Sequence, residues 1–85
     1  MKHAGAATLG LLETLLTKLR GLPALKEKKP GIFYVKSKPY LHFHEDPAGI
    51  FADVRLGGEE FERFPVNTER EQHSLLRLVA KDQAA

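Results

Sequence analysis

Apolar and polar residues alternate along residues 38–56, KPYLHFHEDPAGIFADVRL, on both sides of the turn segment Asp46-Pro47-Ala48-Gly49. Alternation with a period of two is typical of a strand that has one buried face. Two such strands separated by turn-forming residues predict a β-hairpin. We assign its strands to Tyr40–Glu45 and Ile50–Leu56.

The register of this hairpin follows from the length of its loop and from the apolar positions. It sets Phe43 opposite Ala52 and gives their face to the core, because a slip by one residue would mix histidines with the apolar set. On the opposite face, His42 lies across from Asp53. The alternation therefore collects five candidate ligand-binding residues on one open face: Tyr40, His42, His44, Asp53 and Arg55.

The segments on either side of the hairpin supply further elements. Leucines recur at helical spacing from Thr8, an expected N-cap, to Gly21, and Pro23 favours a short helical turn over Leu25–Lys28. Strands are predicted at Ile32–Lys36 and, after the Gly57-Gly58 break, at Phe61–Val66. The spacing of a capping box at Thr68 and Glu71 opens the last helix.

The element order α-β-β-β-β-α predicts an α+β fold, with a four-stranded antiparallel sheet and two helices packed on one face. The length of 85 residues indicates one domain, residues 1–85, with a small core. Glu13 interrupts the N-terminal apolar run and no small-residue cleavage site follows, so we expect a cytoplasmic protein. No apolar run approaches the roughly 20 residues of a membrane-spanning helix, and no membrane contact is expected.

The absence of cysteine excludes disulfides and every cysteine-based zinc site. Histidines and carboxylates are then the strong metal ligands that remain. Two imidazoles two residues apart on a strand project to one side, so a metal ion held by His42, His44 and Asp53 is one interpretation. The competing interpretation is a cross-strand pair of Asp53 with His42. No motif for a cofactor is present, and none is expected.

A catalytic interpretation would make His42 a general base that Asp53 orients, with Arg55 and Tyr40 contacting the substrate. The sequence has no nucleophile motif of the G-x-S-x-G kind. Gly57-Gly58 is a turn and not a phosphate loop, because no Lys-Ser/Thr pair follows it. A small enzyme that uses the His42–Asp53 pair, with or without a metal, therefore stays an alternative.

Charge divides the chain unevenly. Residues 1–38 carry eight Lys/Arg against two Glu, a balance of +6, whereas residues 39–85 have a balance of −4. A solvated basic helix end is the simplest interpretation of the basic segment. The alternative is nucleic-acid binding through the basic N-terminal half. A separate interpretation is a base-stacking platform for single-stranded nucleic acid, in which Phe51, Phe61 and Phe64 interleave with Arg55 and Arg63.

The hairpin and the segment EFERFPVNTEREQHSLLRLVA together resemble the small bacterial and fungal domains labelled "luciferase domain". Those domains carry an H-x-H hairpin, an aspartate on the next strand, and then a strand and a helix. The matching positions here are His42, His44, Asp53 and the unit from Phe61 to Val79. The resemblance covers about half the chain, which lacks the inserted helix between the third and fourth strands. It implies the position of a site more than the identity of a reaction.

We therefore expect a small binding or interaction module. Its open sheet face would contact an anionic small molecule or a partner protein through the five candidate residues. Tyr40 and Phe51 among polar neighbours also suit this face to a twofold contact, so we expect a homodimer.

Overall fold

The structure, a computed structural model, describes residues 2–84. Its helices and strands follow one another along the chain as β1 (Lys2–His3), α1 (Ala6–Leu11), α2 (Glu13–Arg20), β2 (Lys26–Lys29), β3 (Ile32–Val35), β4 (Lys38–Asp46), β5 (Gly49–Val54), β6 (Glu62–Pro65) and α3 (Glu69–Ala84).

All strand pairs in the sheet are antiparallel, in the order β2-β3-β4-β5-β6. The two-residue β1 pairs with the end of β4 on the edge that β3 leaves uncovered. The predicted α+β class with an antiparallel sheet is confirmed. Four strands and two helices were too few, because residues 2–84 form a five-strand path with β1 beside it, and three helices.

The central hairpin has the predicted register. Phe43 lies opposite Ala52, and His42 lies opposite Asp53. The turn itself is tighter than predicted, because Asp46 and Gly49 are already paired and only two residues connect the strands. The Asp46 carboxylate accepts a hydrogen bond of 2.8 Å from the backbone N–H of Ala48, which fixes this turn.

The predicted helical turn over Leu25–Lys28 is wrong, because most of this segment belongs to strand β2, which forms a hairpin with β3. The turn between them contains Gly31, whose φ of 75° is one that glycine adopts readily. A Cβ at Gly31 would lie 2.7 Å from Cδ2 of Leu9. Pro30 and Gly31 therefore connect β2 to β3. The sequence pattern had predicted the end of a helical turn there.

The N-terminal helix is divided in two. Leu12, at φ −101° and ψ 9°, separates α1 from α2, and its side chain is fully buried. Gly10 lies in the last turn of α1, where a glycine disfavours continuation of the helix. Thr8 is not the N-cap, which is Gly5; the Thr8 hydroxyl instead donates a hydrogen bond to the Glu45 carboxylate of β4.

The capping box before α3 is confirmed. The N–H of Glu71 donates to the Thr68 hydroxyl, and the N–H of Thr68 donates to the Glu71 carboxylate, each at 3.1 Å. At the other end of α3, the Asp82 carboxylate accepts hydrogen bonds from the Tyr40 hydroxyl at 2.7 Å and from the backbone N–H of Gly57 at 3.1 Å. The C-terminal end of this helix is thereby held to β4 and to the connection that follows β5.

The helices cover one face of the sheet, and the core lies between them. Its largest fully buried side chains come from every layer of the fold: Leu12, Leu16, Leu19, Phe33, Leu41, Phe43, Val54, Val66, Leu75 and Val79. The edge strands are protected, since β2 carries three lysines and β6 ends in Pro65. Edge protection gives the basic segment a structural role.

Candidate metal centre on the open sheet face

Two neighbouring strands bring His42, His44 and Asp53 together on the face that the helices leave uncovered. One ligand atom from each residue can be chosen such that all three lie within 4.8 Å of one another. The two imidazole rings meet edge to face, with centroids 4.6 Å apart. We call these three residues the triad.

Asp53 is the fixed centre of the triad. It is only 7 % exposed, although it lies on the open face. Both of its oxygens accept hydrogen bonds from Arg63, from Nε at 2.8 Å and from a terminal nitrogen at 3.0 Å. Oδ2 also lies 3.2 Å from Nε2 of His44. A bidentate arginine contact of this kind fixes the plane of the carboxylate.

The Arg63 guanidinium holds the pKa of the Asp53 carboxyl below its ordinary value, mainly through these hydrogen bonds. Burial acts in the opposite direction but more weakly, and the two histidines lower the pKa a little further. Asp53 is therefore a carboxylate at neutral pH, which is the form that a metal ion or a protonated imidazole requires.

The sequence prediction placed His42, His44 and Asp53 correctly, but it missed Arg63 as their neighbour. Arg63 lies directly opposite Asp53 in the β5–β6 ladder. The signal was present in the alternation of β6, where Phe64 packs against the core and its neighbour Arg63 must face the other way. The register of β5 with β6 could not be predicted, because the connection from Arg55 to Phe61 is irregular.

Phe61 is the second neighbour that the sequence prediction left out. Its ring centroid lies 4.9 Å from that of His42, and the Arg55 guanidinium lies 4.5 Å from the same Phe61 centroid. Arg55 was predicted to share a face with the triad. Arg55 lies just after the end of β5, and its guanidinium contacts the same Phe61 ring that His42 contacts.

The prediction that Tyr40 lies on the open face is wrong. Its side chain is 4 % exposed and packs in the core under α3. The reason is a β-bulge: Phe33 pairs with Leu41 but Tyr34 pairs with Pro39, so Tyr40 is an extra residue on β4. The bulge turns two consecutive side chains toward the core. Tyr40 is therefore unable to contribute to a dimer contact through the open face.

Burial limits what the imidazoles can do. The Nδ1 atoms of His42 and His44 are both buried. A group arriving from solvent can therefore reach at most the Nε2 atom of each ring. For His44 that atom already faces Asp53. This arrangement suits an ion that binds between the three residues better than a general base that approaches an external substrate.

No protein-family model, no curated protein and no solved structure matches this chain. The resemblance to luciferase domains therefore stays a prediction. Within residues 2–84, no helix has the length and apolar character needed to cross a membrane.

Proposed function

We propose that this protein is a small binding domain that holds a divalent transition-metal ion between His42, His44 and Asp53. The observation that supports it is the convergence of two imidazoles and one carboxylate, with ligand atoms within 4.8 Å, on two paired strands. Imidazole ligands favour zinc and neighbouring transition metals, whereas magnesium and calcium favour oxygen ligands.

The distances need little adjustment to accept such an ion. Bonds of about 2.0–2.1 Å to zinc place tetrahedral ligand atoms about 3.3 Å apart. His44 Nε2 and Asp53 Oδ2 are already separated by 3.2 Å. The ligand atom of His42 lies within 4.8 Å of the other two.

Arg63 supports this function as a positioning residue. Its Nε contact with Oδ1 holds the Asp53 carboxylate in place, while Oδ2, which faces His44, is the oxygen offered to the ion. Carboxylate ligands in metal sites are commonly held by such outer contacts. The ion would share Oδ2 with the second Arg63 nitrogen or displace it.

Three protein ligands leave a fourth position for a solvent molecule or an anionic ligand. Open positions of this kind distinguish catalytic zinc sites from closed structural ones. Metal-assisted hydrolysis is therefore the second candidate function, in which the triad would bind the ion that activates a water molecule. This candidate replaces the simple His42–Asp53 acid-base pair.

The test is a zinc titration of the metal-free protein, followed by calorimetry and by thermal unfolding. We expect one equivalent to bind, and the melting temperature to rise by mass action, equivalent to about 2.7 kcal/mol at 100 times Kd. His42→Ala, His44→Ala and Asp53→Asn should each remove most of this rise. His73→Ala is the matched control, because His73 is exposed on α3.

The pH dependence adds a second readout. Imidazoles must be neutral to bind a metal, so the zinc affinity should fall as the pH is lowered. A melting curve that stays unchanged at excess zinc would contradict the proposal. So would a rise that survives in the His42→Ala, His44→Ala double variant but disappears in His73→Ala.

A further inference from the structure

A second concave region is lined by Arg55 and by none of the three triad residues. It is a groove of about 410 Å³ between the β3–β4 turn and the chain that follows β5. Volumes of about 300–1,000 Å³ are typical of sites for small organic ligands. We call it the Arg55 groove, and the residues used below that line it are Lys36, Lys38, Tyr40, Arg55, Gly57 and Asp82.

The charges in the Arg55 groove are not balanced. Three cationic residues, Lys36, Lys38 and Arg55, line it against the single carboxylate of Asp82. That carboxylate already accepts hydrogen bonds from the Tyr40 hydroxyl and from the Gly57 N–H. No carboxylate among residues 2–84 forms an ion pair with any of the three cations.

Arg55 is held in place by two contacts, but one of its side-chain donors has no hydrogen-bond acceptor in the described part of the chain. Its guanidinium lies 4.5 Å from the centroid of the Phe61 ring, and its backbone N–H donates to the Tyr40 carbonyl at 2.8 Å. Its Nε is buried, yet within residues 2–84 it has no hydrogen-bond partner. A planar guanidinium with free donors matches the geometry of a carboxylate or phosphate.

The turn at the rim of the groove holds a lysine in a conformation that lysine seldom adopts. Lys36 and Ser37 have φ values of 51° and 69° in a two-residue connection between Val35 and Lys38. Turns of this kind favour asparagine and glycine, because other side chains disfavour positive φ. The sequence therefore keeps a cationic side chain at the rim despite the conformational cost.

We infer that the Arg55 groove binds a small molecule bearing a carboxylate or a phosphate group. Arg55 would make the bidentate contact, and Lys36 and Lys38 would supply charge at the rim. These residues lie outside the triad, so anion binding in the groove does not depend on the metal. The anion site that the sequence predicted around the histidines is thereby assigned to Arg55 and the two lysines.

The experiment is an NMR titration of the metal-free protein in chelator, with inorganic phosphate and acetate as separate probes at constant ionic strength. We expect saturable shifts of the Arg55 side-chain Nε–H and of the Gly57 and Gly58 amides, with affinity in the millimolar range. Phosphate binding tighter than acetate would assign the site to phosphates, and the reverse order would assign it to carboxylates.

Variants of the groove residues distinguish a loss of anion binding from a loss of folding. Arg55→Met should weaken the binding at least about tenfold, as loss of a charged hydrogen-bond donor does. Lys36→Gly removes one charge and relieves the positive φ, so it should weaken binding while leaving the protein folded. Lys81→Gln is the matched control, because Lys81 is exposed on α3 outside the groove.

Three results would overturn the inference. One is a linear, unsaturated response to both anions. Another is saturable binding that Arg55→Met leaves unchanged. The third is phosphate binding that shifts the β2 amides of Lys26–Lys29 and leaves the Gly57 and Gly58 amides unshifted, because that result would place the anion outside the groove.

Discussion

Two charged regions contact the Phe61 ring, the triad through His42 and the Arg55 groove through Arg55. They differ in how their charges are compensated. In the triad, the Asp53 carboxylate contacts Arg63 through both oxygens and faces His44. In the Arg55 groove, the guanidinium contacts the Phe61 ring but no carboxylate among residues 2–84. The Asp53 carboxylate is therefore compensated by an arginine of the same fold. The Arg55 guanidinium has no carboxylate partner among residues 2–84.

In the metal-free protein, this difference predicts which substitutions lower stability and which chiefly affect anion binding. A buried carboxylate with two charged hydrogen bonds contributes to stability, and its removal leaves partners unsatisfied. A cation without a carboxylate contributes little to stability, so its substitution should chiefly affect binding. The four predictions below test this contrast.

The largest effect is expected for Asp53→Ala in metal-free protein. It should lower the free energy of unfolding by about 1–3 kcal/mol, because Arg63 and His44 lose a charged partner. Arg55→Met should leave the free energy of unfolding nearly unchanged. Urea unfolding of both variants provides the measurement, and equal losses for the two would abolish the contrast.

Tyr40→Phe should have the next largest effect. The phenol donates a hydrogen bond to Asp82 at 2.7 Å in a largely buried position, so its loss should lower the free energy of unfolding by about 0.5–1.5 kcal/mol. Burial raises the pKa of the Tyr40 phenol well above its ordinary value. A spectrophotometric titration in which Tyr40 ionises like an exposed tyrosine would contradict its burial in the core.

Lys36→Gly should be slightly stabilising. Glycine accepts the φ of 51° without the steric cost that lysine has there. We expect a gain of about 0.5 kcal/mol, after allowance for the backbone entropy of glycine in the unfolded chain. A loss of stability would show that the Lys36 side chain has an internal partner and that the groove is less cationic than described.

The smallest effect is the pH dependence of the Asp53–Arg63 contact. The pKa of Asp53 is lower in the folded protein than in the unfolded chain, where it is about 3.9. The stabilisation is therefore present above the unfolded value and is lost as the pH falls through the folded value. Arg63→Met should be less stable than wild type at neutral pH, and the difference should vanish in strong acid. A difference independent of pH would contradict the ion-pair explanation.

The positions of the triad residues could be predicted because apolar and polar residues alternate strictly along the β4–β5 hairpin. Apolar Phe43 and Ala52 must share the covered face, and this alone places His42 opposite Asp53. The capping box at Thr68 was equally local, since two side chains and two backbone groups satisfy one another. Such features depend on neighbouring residues only.

The parts that could not be predicted depend on contacts between distant segments. The bulge at Tyr40 is fixed by pairing with β3 and by the hydrogen bond to Asp82 on α3. Alternation in β4 continues through Tyr40 without any mark of the bulge. Likewise, Arg63 meets Asp53 only after an irregular connection of seven residues, 55–61, whose length does not fix a register.

The most direct test of the central claim, that the triad holds a metal ion, is a crystal structure of the zinc-soaked protein with anomalous data at the zinc edge. We expect a zinc peak about 2.0–2.2 Å from an imidazole nitrogen of His42, an imidazole nitrogen of His44 and an oxygen of Asp53. A peak at His73 with none at the triad, or no ordered peak in a crystal soaked with excess zinc, would contradict it.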